Sequence, residues 1–127
     1  MKKYFLLLVA MLFALSACEK KWVSSQDISV YSTRINLADV YEKDFTVTVF
    51  SNQNWTAIIT LGADWLRIKD NGGTELGFVH VHADANMGEN ARVGKLTLRA
   101  ASGAEKIVNI VQSGENEKAA DIPDDLL

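Results

Sequence analysis

From residue 28 to residue 112 the chain alternates apolar and polar side chains with period two, and no convincing helical stripe interrupts it. Phe45-Thr46-Val47-Thr48-Val49 is the cleanest run. In the 77–83 segment Val79, Val81 and Ala83 share one face, and Phe78, His80 and His82 share the other. In the 93–99 segment Leu96 and Leu98 point one way and Lys95, Thr97 and Arg99 the other. Such segments are half-buried strands, and their apolar faces must find a second layer.

Strands are expected at 28–31 with 34–37 (one interrupted strand), 45–49, 55–60, 66–69, 77–83, 93–99 and 107–112. Turn signals separate them: Ser51-Asn52-Gln53-Asn54, Asp70-Asn71-Gly72-Gly73, Asn86-Met87-Gly88-Glu89-Asn90 and Ser102-Gly103. About seven short strands at this spacing predict an all-β chain, an immunoglobulin-like antiparallel β-sandwich over 27–114. A closed barrel fits the same strand count. With 127 residues there is room for one domain.

The N-terminus follows a different rule. Lys2 and Lys3 precede an apolar run from Tyr4 to Leu15, then small residues and Cys18, the only cysteine. This is a secretory signal over 1–17, too short to span a membrane. Leu15-Ser16-Ala17-Cys18 resembles the lipobox of bacterial lipoproteins. The resemblance implies cleavage before Cys18, diacylglycerol on its thiol, and membrane attachment through acyl chains. The alternative is an ordinary signal peptide with an incidental cysteine.

Cleavage removes Lys2 and Lys3 and leaves 11 cations against 16 anions, a net charge of −5. Nucleic acid, which needs a basic footprint, is therefore excluded as a partner. With its one thiol acylated the domain has no disulfide and rests on its hydrophobic core. Residues 18–26 read as a tether, and 115–127, acidic and without period, as a disordered tail.

Several separated motifs resemble one family. They are Asn54-Trp55-Thr56, Asp64-Trp65-Leu66-Arg67-Ile68 and Val79-x-Val81-x-Ala83-x-x-Asn86. Arg92-x-Gly94-x-Leu96-x-Leu98 and Val108-x-Ile110-x-Gln112-x-Gly114 complete the set. In this order and spacing they resemble the BACON domain family of Bacteroidetes over roughly 27–114. The resemblance implies an immunoglobulin-like sandwich, often attached to enzymes that degrade polysaccharide or mucin, with carbohydrate binding as its proposed role. Some members look like spacers, yet here no enzyme domain follows.

Trp55 shares a face with Ala57 and Ile59 and reads as core, as do Leu66 and Ile68. Trp65 has two readings. Strict alternation puts it on the outer face with Arg67 and Lys69, where a sugar could stack on the ring beside Asp64, Asp70 and Asn71. A twist or bulge at the first residue of the strand would turn it inward. Because its motif is shared across the family while ligands vary, the resemblance favours a structural role.

Asn86 and Arg92 flank a loop, where Arg92 could clamp an acidic sugar or pair with Asp84 or Glu89. Gln112 lies on the face of Val108 and Ile110, so its amide is expected to satisfy buried backbone groups. His80, His82 and Asp84 recur at every second residue and could reach a zinc ion, but a fourth ligand is not evident; solvated histidines are the expected reading, and no cofactor is called for. No serine–histidine–acid set, phosphate loop or inward carboxylate pair is present, so catalysis is not expected.

The expected function is non-catalytic binding of mucin or polysaccharide in a glycan-uptake system. A structural or adaptor role toward a protein partner is the alternative. The expected place is the outer membrane. Glu19-Lys20-Lys21 lacks the acidic run associated with surface export, which favours the periplasmic face.

Overall fold

The structure, a computed structural model, describes residues 28–72 and 74–127. The expected leader over 1–17, the expected lipid attachment at Cys18 and the expected tether over 18–26 lie outside the described residues. Seven strands follow: β1 Ile28–Val30, β2 Arg34–Leu37, β3 Lys43–Leu61, β4 Leu66–Gly72, β5 Thr74–Ala83, β6 Arg92–Ala100 and β7 Glu105–Gln112. Two 3₁₀ turns, Ala119–Asp121 and Asp124–Leu126, end the chain.

Sheet one runs β1-β3-β5-β4 and sheet two runs β2-β7-β6-β3. The shared strand β3 makes the pair a curled sandwich. Among the described residues β2 and β4 are the free ends of the strand path, so the curl does not close into a barrel.

Three details differ from the sequence expectation. Asp70, Asn71 and Gly72, expected in a turn, extend β4 and pair with His80, Val79 and Phe78. The segments 45–49 and 55–60 are one strand of 19 residues, and Ser51-Asn52-Gln53-Asn54 is not a turn. Phe50 opposes Leu76 and Asn54 opposes Thr74, so β3 carries two extra residues there. The polar quartet forms a bulge, which bends the strand and carries it from one sheet to the other. The sandwich is also not wholly antiparallel. The interrupted first strand pairs antiparallel with β3 as β1, crosses at Ser32 and Thr33, and pairs parallel with β7 as β2.

The core forms where the period-two faces meet. Val47, Val49, Val79, Val81 and Ala83 come from sheet one, and Leu96, Leu98, Val108 and Ile110 from sheet two; all are buried. Trp55 is half-buried and packs against this cluster together with Ala57, Ile59 and Ile68.

The tail was expected to be disordered, and the structure overturns that. The first 3₁₀ turn packs on β2 and β7. The Arg34 guanidinium donates to the carbonyls of Ala119 (3.0 Å) and Ile122 (2.7 Å) and pairs with Asp124. Ser113 Oγ accepts from Ala119 N at 2.8 Å, and Glu117 Oε1 accepts from Ala91 N at 2.9 Å. Low hydrophobicity does not register this order, which comes largely from one arginine and a few carbonyls. Val111, outward by alternation on β7, is fully buried on this side of the sheet.

Candidate ligand-binding face

The six residues expected to bind ligand divide between separate places. Asp64, Trp65, Asn86 and Arg92 belong to the corner where β4 begins and β6 begins. Asp70 and Asn71 lie five and six residues further along β4, roughly 17 Å or more from Trp65 at about 3.3 Å per residue. The predicted cluster therefore does not assemble.

Trp65 is 5% exposed, so it offers no stacking surface. The reason is local. Gly62 adopts a left-handed φ of 86°, and its carbonyl accepts from both Trp65 N (3.0 Å) and Leu66 N (2.8 Å). Trp65 thus sits in the turn ahead of β4, where strand alternation does not govern it. Both it and Leu66 turn inward. Two glycines make room for the indole: a Cβ on Gly62 would fall 2.7 Å from Trp65 Nε1, and one on Gly94 would fall 3.0 Å from Trp65 Cζ2.

Arg92, rather than Arg67 or Lys69, covers the ring, with its guanidinium carbon 4.3 Å from a ring centroid. Arg92 donates to Gln112 Oε1 (2.8 Å) and to the carbonyls of Asp84 (2.9 Å) and Ala85 (3.1 Å). Burial draws its ionisation below the ordinary arginine value, and the charges of Asp64 and Asp84 act in the opposite direction. Gln112, fully buried, donates to Asp84 O at 2.8 Å. Asn86, also buried, donates to the carbonyls of Asn90 (2.8 Å) and Ser113 (3.1 Å) and accepts from Gly88 N (3.0 Å). These donors are spent on the protein's own backbone, so the corner is a clamp between strands and not a ligand site.

The histidines also part company. His80 bonds Thr46 Oγ1 at 2.9 Å and lies 3.6 Å from Asp70. His82 Nδ1 is 2.6 Å from Asp44 Oδ1, and its Nε2 is 3.3 Å from Asp84. An ionised carboxylate only accepts, so Nδ1 carries the proton toward Asp44. That bond, ahead of the Lys69 charge, holds the Asp44 carboxyl below its ordinary value. Among the described residues no group of three His, Cys, Asp or Glu side chains could hold a metal ion.

The outer face of sheet one carries what the sequence reading passed over. Cross-strand partners share a face, so Phe50 stands beside Leu76, Thr48 beside Phe78, Thr46 beside His80 and Asp44 beside His82. Phe50 is 43%, Leu76 55% and Phe78 47% exposed. The Phe78 and His80 rings lie 13° from parallel with centroids 6.3 Å apart. Just past the end of β1, Tyr31 N bonds Thr48 O at 3.4 Å, and the Tyr31 side chain is 86% exposed. It forms the rim of a hollow of about 220 Å³, floored by Ile35, Phe45 and Val47.

The result is an open aromatic surface running from Tyr31 through Thr48 to Phe78 and His80, with Phe50 and Leu76 along one side. Clustered exposed apolar side chains of this kind mark interaction sites. The signal was present in the sequence: Phe78 shares its outward parity with His80 and His82. Its aromatic partners, Tyr31 and Phe50, come from more distant positions of the chain.

A family model, BACON, described as "Putative binding domain, N-terminal", matches residues 48–113, more than half of the 127 residues. The chain belongs to the BACON family. This BACON domain is similar in fold to part of a Bacteroides ovatus GH5 xyloglucanase, a structure solved in complex with a XXXG heptasaccharide. The TM-score is 0.60 and the identity 18%, over 69% of this chain and 19% of that one. It is also similar to part of the secreted serine protease VesC from Vibrio cholerae. There the TM-score is 0.51 and the identity 9%, over 72% of this chain and 24% of that one. The BACON domain thus spans about a fifth to a quarter of each of these proteins. No curated protein matches it.

Proposed function

We propose that this BACON domain is a non-catalytic carbohydrate-binding module, held at the outer membrane by acyl chains on Cys18 and serving a polysaccharide- or mucin-uptake system. The observation that carries the reading is the exposed aromatic surface of Tyr31, Phe50 and Phe78 with His80. Sugar rings present an apolar C–H face to such rings, and their hydroxyls would meet Thr46, Thr48 and Asp70. The likeness to part of a xyloglucanase supports the same direction at the level of fold. The leader and Glu19-Lys20-Lys21 favour a periplasmic-facing lipoprotein.

Affinity electrophoresis through gels containing single polysaccharides tests the reading. Wild type should be retarded by at least one of them. Phe78→Ala and Tyr31→Ala should lose the retardation while still melting cooperatively. Equal retardation of wild type and both variants would remove this face from the account.

The alternative of an adaptor has its own observation. Ile58 and Ile107 are both exposed, and each pairs with Thr97, so they stand in one row across sheet two. A protein partner would cover that row, on the opposite side of the sandwich from the aromatic surface.

A further inference from the structure

The aromatic face also carries a pattern of charge. Its charged end holds Glu42, Asp44 and Asp84 around His82, and Asp70 stands beside His80. Two cations share the face: Lys69, 3.5 Å from Asp44, and Arg67, 4.0 Å from Asp84. Both are already matched to a carboxylate. Glu42 and Asp70 face no lysine or arginine within ion-pair distance among the described residues. Of the further cations near this end, Arg92 is committed to carbonyls and to the Trp65 ring, and Lys43 is paired with Asp39 at 3.4 Å. An anionic ligand laid on the surface would find uncompensated negative charge and no free guanidinium or ammonium to receive it.

The shape adds a second condition. The surface crosses four strands, from Tyr31 to Gly72, and the rows from Phe50 to Asp44 extend along them. At about 4.8 Å between strands and 3.3 Å per residue it measures roughly 14 Å by 20 Å. Tyr31, Phe50, Leu76 and Phe78 are all open to solvent along it. It suits an interior stretch of a polymer, not a chain end held in a blind pocket.

Resting on the carbohydrate-binding reading above, we infer that the outer face of sheet one takes interior segments of neutral polysaccharides and rejects those bearing carboxylate, sialic acid or sulfate. Recognition comes from stacking and hydroxyl hydrogen bonds, so affinity for the neutral polymer is nearly independent of salt. Rejection of the anionic polymer is electrostatic and weakens as salt is added.

The test uses polymers that share a backbone and differ in charge, with the full chain in detergent. Hydroxyethylcellulose is paired with carboxymethylcellulose, and mucin treated with sialidase is paired with untreated mucin. Binding is measured at about 20 mM and 300 mM sodium chloride, where the screening length falls from roughly 20 Å to below 8 Å. The expected result is at least tenfold weaker binding of the anionic member at low salt, narrowing at high salt. Glu42→Lys should raise the affinity for the anionic member at low salt. Equal or tighter binding of the anionic member, weakening with salt, would overturn the inference while leaving carbohydrate binding intact. Failure of both members of both pairs, with the protein folded, would overturn it together with the reading it rests on.

Discussion

Replacing Trp65 with alanine should damage the fold and not a ligand site. The indole is 5% exposed, lies between Gly62 and Gly94, and is capped by the Arg92 guanidinium. Truncating a buried tryptophan costs about 3–5 kcal/mol, from lost burial and the cavity left behind. With an unfolding entropy of about 2.1 cal/mol/K per residue over roughly 100 ordered residues, Tm should fall by about 14–24 °C. The half-exposed Phe78 provides the contrast: its truncation forfeits about 1 kcal/mol, a shift of roughly 5 °C. Gly94→Ala approaches the same site from the other side, because its new methyl would press on the Trp65 ring and Leu66. Overpacking of that kind costs about 1–3 kcal/mol. Differential scanning calorimetry of the three variants checks the ordering. A Trp65→Ala protein melting within about 3 °C of wild type would refute the argument that this ring is core.

Arg34→Ala should release the C-terminal turns, costing about 1–3 kcal/mol and exposing the segment after Gly114 to limited proteolysis; mass spectrometry of the digest would detect an unchanged cleavage pattern if the tail does not depend on Arg34. The Asp44 carboxyl is held below its ordinary value of 3.8, first by the His82 hydrogen bond. A depressed carboxyl contributes stability above its unfolded value and loses it as pH falls through the folded one. Thermal melts from pH 6 to pH 2.5 should therefore fall less steeply below about pH 4 for Asp44→Asn than for wild type. Parallel curves would mean that this bond adds nothing to folding.

Much of the fold was legible because period two is a property of single segments. Val79, Val81 and Ala83 were placed inward by alternation, and they are buried. What escaped depends on relations between segments. Ser51-Asn52-Gln53-Asn54 has turn composition, and whether such a run reverses the chain or bulges within a strand depends on what β5 pairs with on either side. Trp65 broke alternation because Gly62 extends a turn by a few residues, and the matching gap at Gly94 lies some thirty positions away in sequence. Arg92, Asn86 and Gln112 have the residue types of a binding site, but their donors and acceptors close on backbone groups that only the folded chain brings near. The aromatic surface is likewise assembled from β3, β5 and the end of β1, so no local motif announces it.

The account stands on where a glycan touches the domain. A ¹⁵N-labelled sample titrated with soluble fragments of a polysaccharide that retards the protein would locate the contact by amide chemical-shift changes. The account predicts that the largest changes cluster at Tyr31, Thr46, Thr48, Phe50, Phe78 and His80, with Trp65 and Arg92 little moved. Changes centred on the Trp65–Arg92 corner, or on Ile58 and Ile107 across sheet two, would contradict it.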